Sequence, residues 1–126
     1  MNPPRIVPSV DDSAPQHTSL ETTTWALVSG RGIALPDDST PTITLTDGRA
    51  YGTTGCNRYS GGYSLDGERI ELGAIASTRM SCAPPLDALE LAFLEALGNV
   101  ARWQVEGGML TLRDEHGEEL LRFTAA

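Results

Sequence analysis

Thr53-Thr54-Gly55-Cys56-Asn57-Arg58-Tyr59-Ser60-Gly61-Gly62-Tyr63 leads from one expected β segment into another and carries one of the chain's two cysteines. The second, Cys82, closes Ser77-Thr78-Arg79-Met80-Ser81-Cys82. Two polar, sulfur-bearing stretches of this kind are expected to meet at one corner of the folded molecule. Asn57, Arg58, Thr78 and Arg79 are the polar side chains that such a corner would gather.

Working outward, Thr42-Ile43-Thr44-Leu45-Thr46 alternates apolar and hydroxyl residues, and Asp47-Gly48 is a strong two-residue hairpin signal into Arg49 to Thr54. Asp66-Gly67 repeats that chemistry between Tyr59 to Leu65 and Glu68 to Leu72. Thr22 to Val28 reads as a first strand with Trp25 as a core anchor. Val100 to Glu106, Met109 to Arg113 and Glu119 to Phe123 extend the meander. Pro84-Pro85 opens a helix expected from about Pro85 to Leu97, because proline at the first turn lacks only an N–H that had no partner there. Gly98-Asn99 stops it.

Leu86, Leu89, Phe93 and Leu97 share one stripe of that helix, which should lie against the sheet. Glu90 falls inside the stripe. Either it snorkels out at the edge, or it is a half-buried carboxylate that needs a partner such as Arg79 or Arg58 and hydrogen-bond donors to offset its desolvation. The elements add up to an α+β domain: a curved antiparallel sheet or open barrel of about seven to eight strands, with one main helix packed on it. Residues 20–126 form this domain. Residues 1–19, rich in proline and poor in large apolar groups, read as a flexible tail or linker, or else Arg5 to Val10 adds an edge strand.

Composition narrows the chemistry. The chain has 126 residues, enough for one modest core, and a net charge of −8 that works against binding a polyphosphate backbone. Nucleic acid is not an expected partner. All nine basic residues are arginine, which excludes a Schiff-base lysine, a Ser-Lys pair and a Walker-type lysine. No apolar run approaches the roughly 20 residues that cross a bilayer, and the start lacks the layout of a secretory signal, so the expectation is a soluble monomer.

Catalytic and metal readings are weak. Cys56 as a nucleophile lacks a base, since His17 falls in the tail and His116 in a turn. A metal site on Cys56 and Cys82 lacks the usual paired spacing, and Asp114, Glu115 and Glu118 do not match a calcium loop. The glycines of Gly55 to Gly62 have neither the phosphate-loop pattern nor a following helix, and no cofactor is expected. Asn57, Arg58, Thr78, Arg79 and Glu90 remain as candidate binding residues. They either satisfy one another within the fold or line a cleft for a small ligand or peptide.

Gly55-Cys56-Asn57-Arg58-Tyr59-Ser60-Gly61 with Gly62-Tyr63, followed by Ala76-Ser77-Thr78-Arg79-Met80-Ser81-Cys82, closely resembles the two signature stretches of the META domain family, also called HslJ-like. Trp25, Glu90 with Phe93 and Leu97, Leu110-Thr111-Leu112 and Leu121-Arg122-Phe123 are similar too, and the resemblance covers about residues 22 to 124. It implies a small curved-sheet domain with one helix, found in bacterial envelope lipoproteins or secreted proteins and linked to heat or antibiotic stress. It brings no established catalytic residue. Family members commonly carry a lipoprotein signal and a lipid-bearing cysteine, which this chain lacks; the resemblance nonetheless favours an extracytoplasmic location.

If the protein is exported, Cys56 and Cys82 would pair, closing a loop of about 27 residues worth roughly 3.5 kcal/mol on the chain-entropy account. In a reducing cytoplasm they would instead sit as buried thiols. The expected function is a non-enzymatic binding or structural module acting through a protein partner or small ligand. The alternative is a small hydrolase-like enzyme using Asn57, Arg58, Arg79 and Glu90.

Overall fold

The computed structural model describes residues 20–126; the tail or edge strand expected over residues 1–19 lies outside them. Its elements are β1 (Thr24–Gly30), β2 (Thr42–Thr46), β3 (Arg49–Thr53), β4 (Arg58–Asp66), β5 (Arg69–Leu72), β6 (Ala76–Ser77), α1 (Pro84–Gly98), β7 (Arg102–Glu106), β8 (Met109–Arg113) and β9 (Glu119–Ala125). Every strand pairing among these is antiparallel. In order β3-β2-β1-β9-β8-β7-β5-β4 they form a ring that the β3–β4 pairing closes, with β6 as an extra short strand on β4. The expected curved sheet therefore curls into a closed eight-stranded barrel, a size whose interior side chains can fill.

The hairpin turns follow their glycines. Asp47 and Gly48 have φ of 50° and 81°, both left-handed as a type I′ turn requires. Gly107-Gly108 repeats that arrangement at 60° and 77°. The turn placed at Asp66-Gly67 is corrected by one residue: Asp66 pairs with Arg69, so the loop is Gly67-Glu68. Only Gly67 takes positive φ, at 62°, the type II′ pattern that wants glycine first.

Inward residues of the strands build one core, including Trp25, Leu27, Ile43, Leu45, Tyr59, Leu110, Leu112, Leu121 and Phe123. Trp25 is the anchor expected of it, buried with its indole N–H donated to the Leu20 carbonyl at 3.1 Å. The helix α1 begins with prolines at its first two positions, so two of its unpartnered N–H groups never exist. Leu89, Phe93 and Leu97 are buried, and Leu86 is half-buried at the end of the stripe. The Phe93 ring meets Tyr59 of β4 and Phe123 of β9 edge-on, with centroids 5.8 and 6.4 Å apart. Those two strands stand opposite each other in the ring, so the helix reaches across the barrel rather than lying on one strand pair. No helix of the described residues is long and apolar enough to cross a membrane.

Candidate functional site

The connection from β3 to β4 is a tight polar turn, Thr54-Gly55-Cys56-Asn57. The Thr54 hydroxyl accepts the N–H of Asn57 at 2.9 Å and of Cys56 at 3.2 Å, while the Thr54 N–H is donated to the Asn57 carbonyl at 2.8 Å. This is the local bonding by which threonine favours turns over strands. Gly55 has φ of 99°, and a Cβ there would come 2.9 Å from Leu89 of α1. Only glycine meets both conditions.

Asn57 is buried and forms the hub of the corner. Its Oδ1 accepts the Thr78 hydroxyl at 2.9 Å and the Met80 N–H at 2.8 Å. Its Nδ2 donates to the Met80 carbonyl at 3.2 Å and to Glu90 Oε1 at 2.9 Å. The same carboxylate oxygen accepts the Thr54 hydroxyl at 2.7 Å. Two donors and two acceptors are all a primary amide offers, so one side chain ties the β3–β4 turn to the strap over residues 78–82 and to α1. Beside it Cys56 and Cys82 form a disulfide, their Cα atoms 6.1 Å apart. The two stretches do meet at one corner.

Of the candidate residues, Asn57, Thr78 and Glu90 come together, and Arg58 and Arg79 do not join them. Both arginines are exposed, and among the described residues neither forms an ion pair. The arginine partner expected for Glu90 is thus corrected: uncharged donors on Thr54 and Asn57 take that place, which satisfies a half-buried carboxylate without desolvating a second charge. Thr54 was absent from the sequence-level candidates. A threonine directly before glycine in a turn was its signal. Cys56, Cys82 and Asp87 hold their ligand atoms within 4.8 Å of one another, yet sulfurs bonded to each other are not the thiolates a metal needs.

Outside the barrel, the strands β3, β4 and β6 lie side by side and form an open groove of about 380 Å³. Tyr51 stands opposite Ser60, and Ser60 opposite Ala76. In the next row Thr53 stands opposite Arg58, whose N–H and carbonyl bond Thr78 at 3.1 and 3.0 Å. Small Ser60 and Ala76 leave space beside an exposed tyrosine and an exposed guanidinium. Tyr59 faces inward from the groove floor; its hydroxyl is donated to the Thr42 carbonyl at 2.6 Å, and burial holds it well above the ordinary tyrosine range.

Similar architectures have been solved. An NMR structure of a protein from Burkholderia xenovorans is 27% identical with a TM-score of 0.72, covering 99% of this chain and 95% of that one. A second protein solved by NMR is also 27% identical, with a TM-score of 0.68 over 86% of this chain and 92% of its own. A crystal structure of a DUF4847 family protein from Bacteroides vulgatus shares the fold, at 18% identity and a TM-score of 0.64 over 86% and 95% of the two chains. None of the curated proteins compared matches significantly. The META domain model matches residues 18–126, which contain the disulfide, the Asn57 hub and Glu90, and the chain belongs to the META domain family.

Proposed function

We propose that this META domain is a non-enzymatic binding module, acting through a small ligand or protein partner in envelope or stress physiology, with its polar corner as scaffold. The observation that carries this reading is the saturation of Asn57: both its donors and both its acceptors are used inside the protein. A ligand would have to break those bonds to use them, at a cost of about 1–3 kcal/mol for each group left unsatisfied. Binding therefore falls to the surface around the corner. A disulfide is at home in an oxidising compartment, which supports an extracytoplasmic location.

A hydrolase would need Asn57, Arg58, Arg79 and Glu90 to face one cleft. Instead Asn57 and Glu90 face each other, while Arg58 lines the outer groove and Arg79 is exposed. The test is turnover of p-nitrophenyl acetate and a p-nitroanilide peptide by the purified protein and by Glu90→Gln. No turnover that depends on Glu90 is expected. Turnover by the wild type that a folded Glu90→Gln variant loses would replace this reading with the enzymatic one.

A further inference from the structure

We infer that the groove across β3, β4 and β6 is a binding site for a small planar ligand bearing a carboxylate, of the aryl carboxylate class. This rests on the binding-module reading and names its ligand chemistry. The groove is lined by Tyr51, Gly52, Arg58, Ser60, Ala76 and Thr78 among others. Its volume of about 380 Å³ falls within the roughly 300–1,000 Å³ typical of small-molecule sites. The floor is small and uncharged, because Ser60 and Ala76 sit opposite each other in adjacent strands. The Tyr51 ring, 41% exposed, stands at one side of that row and offers a flat apolar surface.

Charge selects the anion. The protein carries a net charge of −8, yet Arg58 is exposed on this face and forms no ion pair among the described residues. Among the described residues Arg31 and Arg122 form ion pairs, with Glu118 and Glu119, while Arg58 and five other arginines form none; of those six, Arg58 is the one that lines this groove. Arg49, exposed and two residues before Tyr51 on the same outward face of β3, is a second guanidinium with no ion pair among the described residues. A guanidinium fork grips a carboxylate with two parallel hydrogen bonds, and the hydroxyl of Ser60 lines the same groove as a further donor, that of Thr78 being already donated to Asn57. An apolar plate next to an unpaired fork matches a ligand with a ring at one end and a carboxylate at the other. A cation or a bare hydrocarbon would use only half of it.

The experiment is an NMR titration of the ¹⁵N-labelled full chain with sodium benzoate, benzamide and benzylamine, at low and high salt. Benzoate is expected to shift amides of residues 51–60 and 76–78 saturably. Loss of the charge-assisted bonds in Arg58→Gln should weaken it roughly tenfold, with melting unchanged because the side chain is exposed. Tyr51→Ala should weaken it as well, and added salt should do so in the wild type. Benzamide binding as tightly as benzoate, or Arg58→Gln binding benzoate like the wild type, overturns the carboxylate assignment. Indifference of the groove to all three probes overturns it too. The binding-module reading fails separately, on the Glu90-dependent turnover assay.

Discussion

Asn57 ties its turn to two other segments, because four hydrogen bonds to the strap and to α1 pass through one amide. Asn57→Ala leaves the Met80 backbone and the Glu90 carboxylate short of partners, and should cost about 3 kcal/mol, read as a lower denaturation midpoint at constant slope. Glu90→Gln keeps an acceptor for Thr54 and should cost only about 1 kcal/mol. The sequence could nominate Asn57, Thr78 and Glu90 because polar residues near a cysteine pair must find partners. It could not sort them from Arg58 and Arg79, since the inward or outward aim of each residue depends on the strand register. Tyr63 supplies a pH dependence at this scale. Burial, and then its hydrogen bond to the Glu21 carboxylate, push its pKa from 10.0 up to about 12. A folded-state value above the unfolded one gives stabilisation that is complete below pH 10 and lost as the pH rises to about 12. The melting temperature should fall across that window, and Tyr63→Phe should flatten the fall.

Elements meet at the corner through two different kinds of link. The disulfide fixes the strap to the β3–β4 turn covalently, and Phe93 of α1 packs between opposite walls of the barrel. Reduction should lower stability by roughly 3.5 kcal/mol on the chain-entropy account, measured as the shift of the urea midpoint with and without dithiothreitol. Phe93→Ala should cost about 3–5 kcal/mol by opening a cavity that rigid strands cannot collapse into. Most elements were legible because their punctuation is local: Asp47-Gly48 and Gly107-Gly108 favour tight turns, and Pro84-Pro85 ahead of an apolar stripe suits the first turn of a helix and no later one. Two features were not. Gly67-Glu68 replaces Asp66-Gly67 because the cross-strand pair Asp66 to Arg69 decides which two residues are left over. The two-residue strand β6 exists only because Tyr59 and Ser60 offer it an edge, and no propensity of Ala76-Ser77 announces it.

At the scale of the molecule the closing contact is β3 with β4, which turns a curved sheet into a ring. That step was beyond the sequence because it depends on how far eight strands twist, not on any one of them. Next to that seam Gly52 lets β3 crowd against β2: a Cβ there would come 2.2 Å from the Thr42 carbonyl oxygen, so these two strands approach so closely only without a side chain. Ring closure also joins the two ends of the domain, since β9 sits between β1 and β8 and brings Leu120, Leu121 and Phe123 to the core. Pairings between strands far apart in sequence gain nothing until the intervening chain has been ordered, so the barrel lacks a stable fragment that stops at β8. Deleting residues 119–126 would leave β1 and β8 with unpaired edges and remove part of the wall against which Phe93 packs. The truncated chain should show no cooperative transition in urea by circular dichroism or tryptophan fluorescence. A sharp transition with an undiminished slope would mean that β1 and β8 can close the ring without β9.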